Sequence, residues 1–313
     1  MVKHKFIFFR KFFKMSKITK LVWTGMAVLM FISAAPALIN SIKDNYEEML
    51  KSHVKVASVK ISGEIKEIDD YVKDLTKYFK NKEIKAILLE IDSPGGAAGS
   101  SQALFNEIQC LKKEYPKPIV CLTNNICASG GYYIAATADY IITSQSALVG
   151  SIGTYIGFFN VDELLKKYNV AYVAKYTGAY KTLASPLVAR NPENEKLLQA
   201  LADSCYDHFT RDMANCRKLD LKEVNNWANG KVFTGEQALK LRLVDENGSK
   251  YNAIKKIKEL AAIKEDEEIT WVKTKEPNVI TKFLEGHTQT SVSPQAIVDQ
   301  VIAKLQTGFI SCN

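Results

Sequence analysis

Ile119-Val120-Cys121-Leu122-Thr123, followed closely by Ala128-Ser129-Gly130-Gly131-Tyr132-Tyr133-Ile134-Ala135-Ala136, is the stretch that decides how this chain folds. The first run is apolar and rich in β-branched residues, the composition of a buried strand. The small residues around Ser129 turn the chain, and the second run reads as a helix. Strand, tight turn and helix in that order expose one side chain at the turn. They also aim backbone N–H groups of a helix N-terminus at whatever that side chain attacks. Taken alone, a serine in Ser-Gly-Gly is more often a cap than a nucleophile.

The same alternation extends outward on both sides. Strands are expected over Val54 to Ile61, Ile84 to Ile91, Pro118 to Thr123 and Asp139 to Thr143. Helices are expected over Glu67 to Phe79, about Ser100 to Lys113, Leu221 to Trp227, Gly235 to Leu241 and Tyr251 to Leu260. Asn191 to Lys218 has the spacing of a long amphipathic helix, with Leu197, Leu198, Leu201, Cys205, Phe209 and Met213 along one side. Asp92 to Gly96 reads as a loop after its strand. Strands and helices alternating at this pace mean an α/β fold.

A serine hydroxyl is a weak nucleophile and needs an adjacent base. A lysine serves where burial lowers its pKa from about 10.4 towards neutrality, and Ser-Lys is a known variant of the triad arrangement. Lys181, in Gly178-Ala179-Tyr180-Lys181-Thr182, is the candidate; by itself it is an ordinary surface lysine.

Asp92-Ser93-Pro94-Gly95-Gly96, Ala128-Ser129-Gly130-Gly131-Tyr132-Tyr133, Gly150-Ser151-Ile152-Gly153 and Gly178-Ala179-Tyr180-Lys181 occur in the order seen in the SppA signal peptide peptidases. Ala228-Asn229-Gly230-Lys231-Val232-Phe233-Thr234-Gly235-Glu236-Gln237-Ala238 and Leu243-Val244-Asp245-Glu246-Asn247-Gly248 also resemble that family, so the likeness runs from about residue 54 to residue 260. The resemblance implies the α/β architecture of the ClpP/crotonase-like superfamily, built from repeated strand-strand-helix units. It implies Ser129 as nucleophile, Lys181 as general base, and an oxyanion hole from the backbone N–H of Gly130 and one from the Gly95-Gly96 pair. Gly150 to Gly153 would help shape the substrate groove. Thr182 either hydrogen-bonds the lysine amine or caps its own loop. The resemblance further implies a homo-oligomeric dome in which the lysine serving one serine comes from the next chain.

Other chemistries find less support. His4, His53, His208 and His287 sit in no motif, and His208, within Ser204-Cys205-Tyr206-Asp207-His208-Phe209, reads as a helix-face or packing residue. No Cys-x-x-Cys pair and no His-Glu-x-x-His helix occurs, so neither a metal nor an organic cofactor is expected. Gly150 to Gly153 has neither the Walker lysine nor the dinucleotide-fingerprint spacing. Of the six cysteines, Cys110, Cys121 and Cys127 lie in or beside apolar runs, where a free thiol behaves as a small hydrophobe.

Leu21 to Ile39 carries no charge and is long enough to cross a bilayer core of about 30 Å. Before it stand Lys3, Lys5, Arg10, Lys11, Lys14, Lys17 and Lys20 with no acid, which places the N-terminus in the cytoplasm. The formal charge of +8 minus these seven leaves +1, so the basic balance belongs to the membrane-flanking arm and no nucleic-acid partner is expected. Phe6, Ile7, Phe8, Phe9, Phe12 and Phe13 suit a lipid interface. Small residues at Ser33 to Ala37 raise cleavage as a rival to a retained anchor, and Met15 is an alternative start.

The expected organisation is a basic cytoplasmic arm (1–20), a transmembrane anchor (21–39), a stalk (40–53), a peptidase domain (54–276) and a polar tail (277–313) in which Ile297 to Leu305 forms a small amphipathic helix. The expected function is endopeptidase cleavage of remnant signal peptides and related membrane-derived peptides through an acyl-enzyme, at the outer face of the inner (cytoplasmic) membrane. The rivals are a catalytically silent scaffold of the same architecture that binds membrane proteins or peptides, and an acyl-CoA enzyme using the oxyanion hole on a thioester.

Overall fold

The computed structural model describes residues 16–50 and 53–273, in two units that part between His53 and Val54. Most of the basic arm and the tail from 277 on, with its expected helix at Ile297 to Leu305, lie outside the described residues. Among the described residues the first unit carries the helix α1 (Lys17–Leu50), which takes in both the apolar run and the polar stretch after it and passes through Pro36 without ending. Its segment Leu21–Ser41 has a mean hydropathy of 1.9 and is long enough to cross a membrane.

In the second unit a strand-helix alternation begins with β1 (His53–Ile65), α2 (Asp69–Lys80), β2 (Ile84–Gly96) and α3 (Ala98–Glu114). β3 (Ile119–Thr123), β4 (Ile126–Ala128), α4 (Gly130–Ala135), β5 (Tyr140–Thr143) and β6 (Leu148–Gly150) follow. Two helices of unequal length, α5 (Asp162–Lys167) and α6 (Pro192–Arg217), come next. The described residues end with α7 (Val224–Trp227), β7 (Val232–Thr234), α8 (Gly235–Lys240), β8 (Glu246–Asn247), α9 (Lys250–Leu260) and β9 (Glu268–Lys273). This is the α/β, ClpP/crotonase-like fold expected above.

β2 organises the sheet. It pairs in parallel with β1 along one edge; its other edge is shared, first by β3 (Ile87 opposite Ile119) and then by β4 (Ser93 opposite Cys127). One branch continues through β5 to β8 and the other through β6 to β7, the last pairing antiparallel. The Ser129 turn therefore sits at the end of a branch separate from β3.

The period of two along β2 and β3 explains the two cores. Ile87, Leu89, Ile91, Ile119 and Cys121 pack on one side with α3 and α4, while Ala86, Leu88, Val120 and Leu122 meet Ala253 and Ile257 of α9 on the other. The helices answer with their own period: α3 buries Ser101, Leu104, Phe105, Ile108 and Leu111.

Three expectations need correction. Asp92 to Gly96 is strand rather than loop, because β1 runs on to Ile65 and stays paired with Gly96. A Cβ at Gly96 would stand 2.2 Å from the Ile65 carbonyl oxygen, so only glycine lets the two backbones come this close. The apolar side of α6 is buried only towards its end, at Phe209 and Met213, whereas Leu201 is 47% exposed and Cys205 is exposed. Cys110 is exposed rather than packed as a hydrophobe. Cys121 and Cys127 are buried, and the hydrogen bond between them, together with burial, pushes the Cys121 thiol well up, which keeps it protonated and inert.

Candidate active site

Ser129 occupies the single position between β4 and α4, at φ 49° and ψ −123°. A non-glycine residue there costs about 1–3 kcal/mol and persists only where its surroundings over-determine it. They do: its N–H donates to the Gly150 carbonyl at 2.7 Å, its carbonyl accepts from the Tyr133 N–H at 2.9 Å, and all six residues of α4 are buried. Tyr132 adds a hydrogen bond from its hydroxyl to the Leu243 carbonyl at 2.6 Å. The turn is thus a rigid elbow.

The glycines around it are there because backbones meet. Gly95 has φ +106°, and a Cβ on it would lie 2.7 Å from both the Gly130 nitrogen and Ser129 Cβ. A Cβ on Gly130 would lie 2.1 Å from Ser101 Oγ and 3.4 Å from the Gly96 nitrogen. The end of β2 and the start of α4 therefore bring the Gly96 and Gly130 amides side by side next to Ser129. The Gly95 N–H donates instead to Ser93 Oγ at 3.1 Å, and Ser93 in turn donates to the Gly63 carbonyl at 2.6 Å. Of the two glycines, Gly96 is the one that lines the adjoining cavity.

That cavity holds about 150 Å3 and is walled by Ser129, Gly96, Gly130, Tyr133, His208 and Phe209. A space of about this size takes one benzene-sized group. Tyr133 stacks on Phe209 with ring centroids 4.3 Å apart and planes within 7° of each other, and tilts against Phe105 at 5.0 Å. Its hydroxyl donates to the Asp212 carboxylate. Burial first, and then that carboxylate, hold the Tyr133 hydroxyl well above its ordinary pKa, so it stays protonated.

Lys181 is not among the residues lining this cavity. It is exposed, in a run of turns, with its N–H donating to the Gly178 carbonyl at 3.1 Å. Thr182 follows it half-buried and accepts at its backbone carbonyl from the Ser185 N–H at 2.9 Å. Tyr180 ties the run to the start of α6 through a hydrogen bond from its hydroxyl to Glu193. Within one chain, therefore, Ser129, Gly96 and Gly130 come together and Lys181 stands apart. His208, read above as a face or packing residue, opens onto the Ser129 cavity with Cys205. Sequence reasoning also passed over Tyr133, Ser101 and Phe209; the small-residue run Gly95 to Ser101 was the available signal for a tight approach.

The later blocks brace this arrangement. Gly150-Ser151-Ile152 and Gly230 to Phe233 are partners: Val149 faces Phe233, Ser151 N–H donates to the Lys231 carbonyl, and Gly230 N–H to that of Ile152. Asp245 receives Arg217 at 2.8 and 3.0 Å and the Ile141 N–H at 2.7 Å. Burial works against the Arg217 charge, and the Asp245 carboxylate more than restores it. This pair fixes the end of α6, whose earlier turns carry His208 and Phe209. Among the described residues no cluster of three or more His, Cys, Asp or Glu side chains forms.

Residues 112–264 match peptidase family S49. Over 197 residues the chain is 33% identical to a protein of Methanocaldococcus jannaschii named "Putative protease", a match covering 63% of each. It is 31% identical over 232 residues to the "Putative signal peptide peptidase SppA" of Enterococcus faecium, covering 70% of this chain and 67% of that one. With Protease 4 of Haemophilus influenzae it shares 31% over 204 residues, 63% of this chain but 32% of the relative. The chain thus spans less than two thirds of the archaeal relative and about a third of Protease 4. The family match takes in the Ser129 elbow and begins after Gly96 to Gln102 of the cavity wall, and the chain belongs to peptidase family S49.

Proposed function

We propose that this chain is a membrane-anchored serine endopeptidase that cleaves remnant signal peptides and other apolar peptides. Ser129 Oγ attacks the peptide carbonyl, the Gly130 and Gly96 N–H groups hold the oxyanion, and Lys181 takes the serine proton and returns one to the leaving amine. The resulting acyl-enzyme is then hydrolysed by water. The observation that carries this reading is the strained Ser129, held at positive φ at the edge of a cavity that the neighbouring Gly96 and Gly130 also line. A preorganised oxyanion donor of this kind is worth about 3–4 kcal/mol. Leu21–Ser41 would hold the enzyme in the inner membrane with its N-terminus cytoplasmic and its catalytic unit on the far side, in the same plane as its substrates.

Lys181 serves the serine of a neighbouring copy in a homo-oligomer. No residue from Phe159 to Tyr180 is buried, and the stretch exposes Phe159, Tyr168, Val173 and Tyr176 at 73%, 69%, 76% and 52%. So much apolar surface is what an interface needs and an isolated chain avoids. A second reading makes His208 the base, since it already opens onto the cavity.

The test is hydrolysis of a synthetic signal peptide by the full chain, by Ser129→Ala, by Lys181→Ala and by equal mixtures of the two variants. Both variants should be inactive and the mixture should recover about a quarter of the wild-type rate, the statistical share of competent neighbour pairs in a ring. Full activity in Lys181→Ala with none in His208→Ala would move the base to His208. Peptide binding without turnover in any form would favour the silent scaffold.

A further inference from the structure

The cavity beside Ser129 shares two of its lining residues with a second space. Past Tyr155 a space of about 420 Å3 opens between residues 154–158 and the first turns of α6, and Thr154 and Tyr155 line both. Tyr155 is 62% exposed, yet its ring is tucked back onto the chain: a Cβ at Gly157 would lie 2.0 Å from the Tyr155 hydroxyl oxygen. A side chain at 157 would displace the ring, so Gly157 is what allows Tyr155 to stand where the two spaces meet.

The two compartments differ in chemistry. Around Ser129 most of the exposed lining is apolar, with Tyr133, Phe209, Ala98 and Gly99 beside Gln102 and His208; beyond Tyr155 most of it is polar, with Arg190, Glu195 and Gln199 beside Ile156, Phe158 and Leu198. Arg190 faces Glu195 as a two-pronged ion pair, with Nε to Oε1 at 2.7 Å. Each partner favours the charged form of the other, so both charges persist near neutrality. Such an exposed pair is weakly held and exchanges readily with a charged ligand.

We propose that Tyr155 partitions the peptide groove, so that the chain accepts one benzene-sized apolar side chain beside Ser129 and leads the substrate beyond it across a polar compartment in which Arg190 and Glu195 read charge. This rests on the peptidase reading of the Ser129 cavity. The preferred substrate class is therefore a peptide in which an apolar residue lies a few positions from polar or charged ones, as at the edge of an apolar core rather than at its centre. A small residue at 155 joins the two spaces and removes the size limit.

The experiment measures binding, so that it stands apart from catalysis. Fluorescent decapeptides carry Leu or Trp at one central position and Lys, Glu or Ser two to four residues to either side. Their affinities are read by anisotropy on the full chain bearing Ser129→Ala, alone and combined with Tyr155→Ala, Tyr155→Phe or Glu195→Gln, with circular dichroism to confirm folding. We expect the parent to prefer Leu over Trp by at least about tenfold, Tyr155→Ala to reduce this to threefold or less, and Tyr155→Phe to restore it. Glu195→Gln, which frees Arg190, should shift affinity about threefold towards Glu-bearing peptides without altering the Leu preference. An unchanged Leu preference in Tyr155→Ala, an unchanged charge preference in Glu195→Gln, or no peptide binding at all overturns the proposal. Selective binding with no hydrolysis of the same peptides by the Ser129 form would overturn the peptidase reading and leave the partition standing.

Discussion

Replacing Gly130 by alanine, alone and together with Ser101→Gly, probes how tightly α4 is seated under Ser129. The added Cβ would stand 2.1 Å from Ser101 Oγ and 2.9 Å from Ser101 Cβ. Rotation of the Ser101 side chain relieves the first overlap but not the second. Ser101 is fully buried and its hydroxyl is tied to the Ala97 carbonyl at 3.0 Å, so even that rotation breaks a hydrogen bond. Overpacking of this kind costs about 1–3 kcal/mol. Ser101→Gly alone costs about 1 kcal/mol through helix propensity and the lost bond. If the two effects were independent, the double variant would lose about 2–4 kcal/mol. Because glycine at 101 removes both clashing atoms, the double variant should lose only about 1 kcal/mol, a coupling of about 1–3 kcal/mol. Urea melts followed by far-UV dichroism give the stabilities, and peptide hydrolysis reports whether the Gly130 amide has returned to its place. Gly95→Ala is the contrast: its Cβ meets the Gly130 nitrogen at 2.7 Å with φ at +106°, so no partner substitution should rescue it. A Gly130→Ala chain within about 0.5 kcal/mol of wild type, or a double variant that merely adds the two losses, would refute the packing argument.

Two further outcomes follow from the bracing around the site. Arg217 is nearly buried and its charge is met by Asp245, so Asp245→Asn should destabilise the chain by about 3 kcal/mol in thermal or urea unfolding, and a loss under about 1 kcal/mol would show the pair to be incidental. Tyr132 and Tyr133 are both raised above the ordinary tyrosine value, chiefly by burial. A raised pKa contributes stability that is fully present below about pH 10 and is lost as pH climbs through the folded-state value. The urea midpoint should therefore fall steeply above pH 10, and less steeply in Tyr133→Phe, which lacks one of the two ionisable groups; identical slopes would contradict the assignment.

The α/β alternation was legible because β2 and β3 are long apolar runs whose period of two is buried on both faces. The elbow was legible for the same reason, since a strand-like run is followed by small residues and then by a buried helix. β4, β6, β7 and β8 were not, having only two or three residues each. Such strands exist through their partners, as Ala128 pairs with Gly150 and Gly150 with Val232, rather than through local preference. The extent of β2 was missed because Pro94 and two glycines look like a turn, although glycine there is what lets β1 and β2 stay close to the end. On α6 the spacing identified a stripe of apolar residues but not how far along the helix the core reaches. That the exposed face carrying His208 opens onto the Ser129 cavity was not legible for the same cause: which helix face meets the cavity depends on Tyr133 and Phe209 stacking across α4 and α6, a contact with no local signature.

The central claim is that Ser129 is the nucleophile, and covalent labelling tests it most directly. The full chain treated with a peptidyl fluorophosphonate bearing an apolar residue should gain one adduct, located by peptide mass mapping at Ser129; Ser129→Ala should take none, and Lys181→Ala should label far more slowly. Labelling at another residue, or equal labelling of the wild-type and Ser129→Ala chains, would contradict the account.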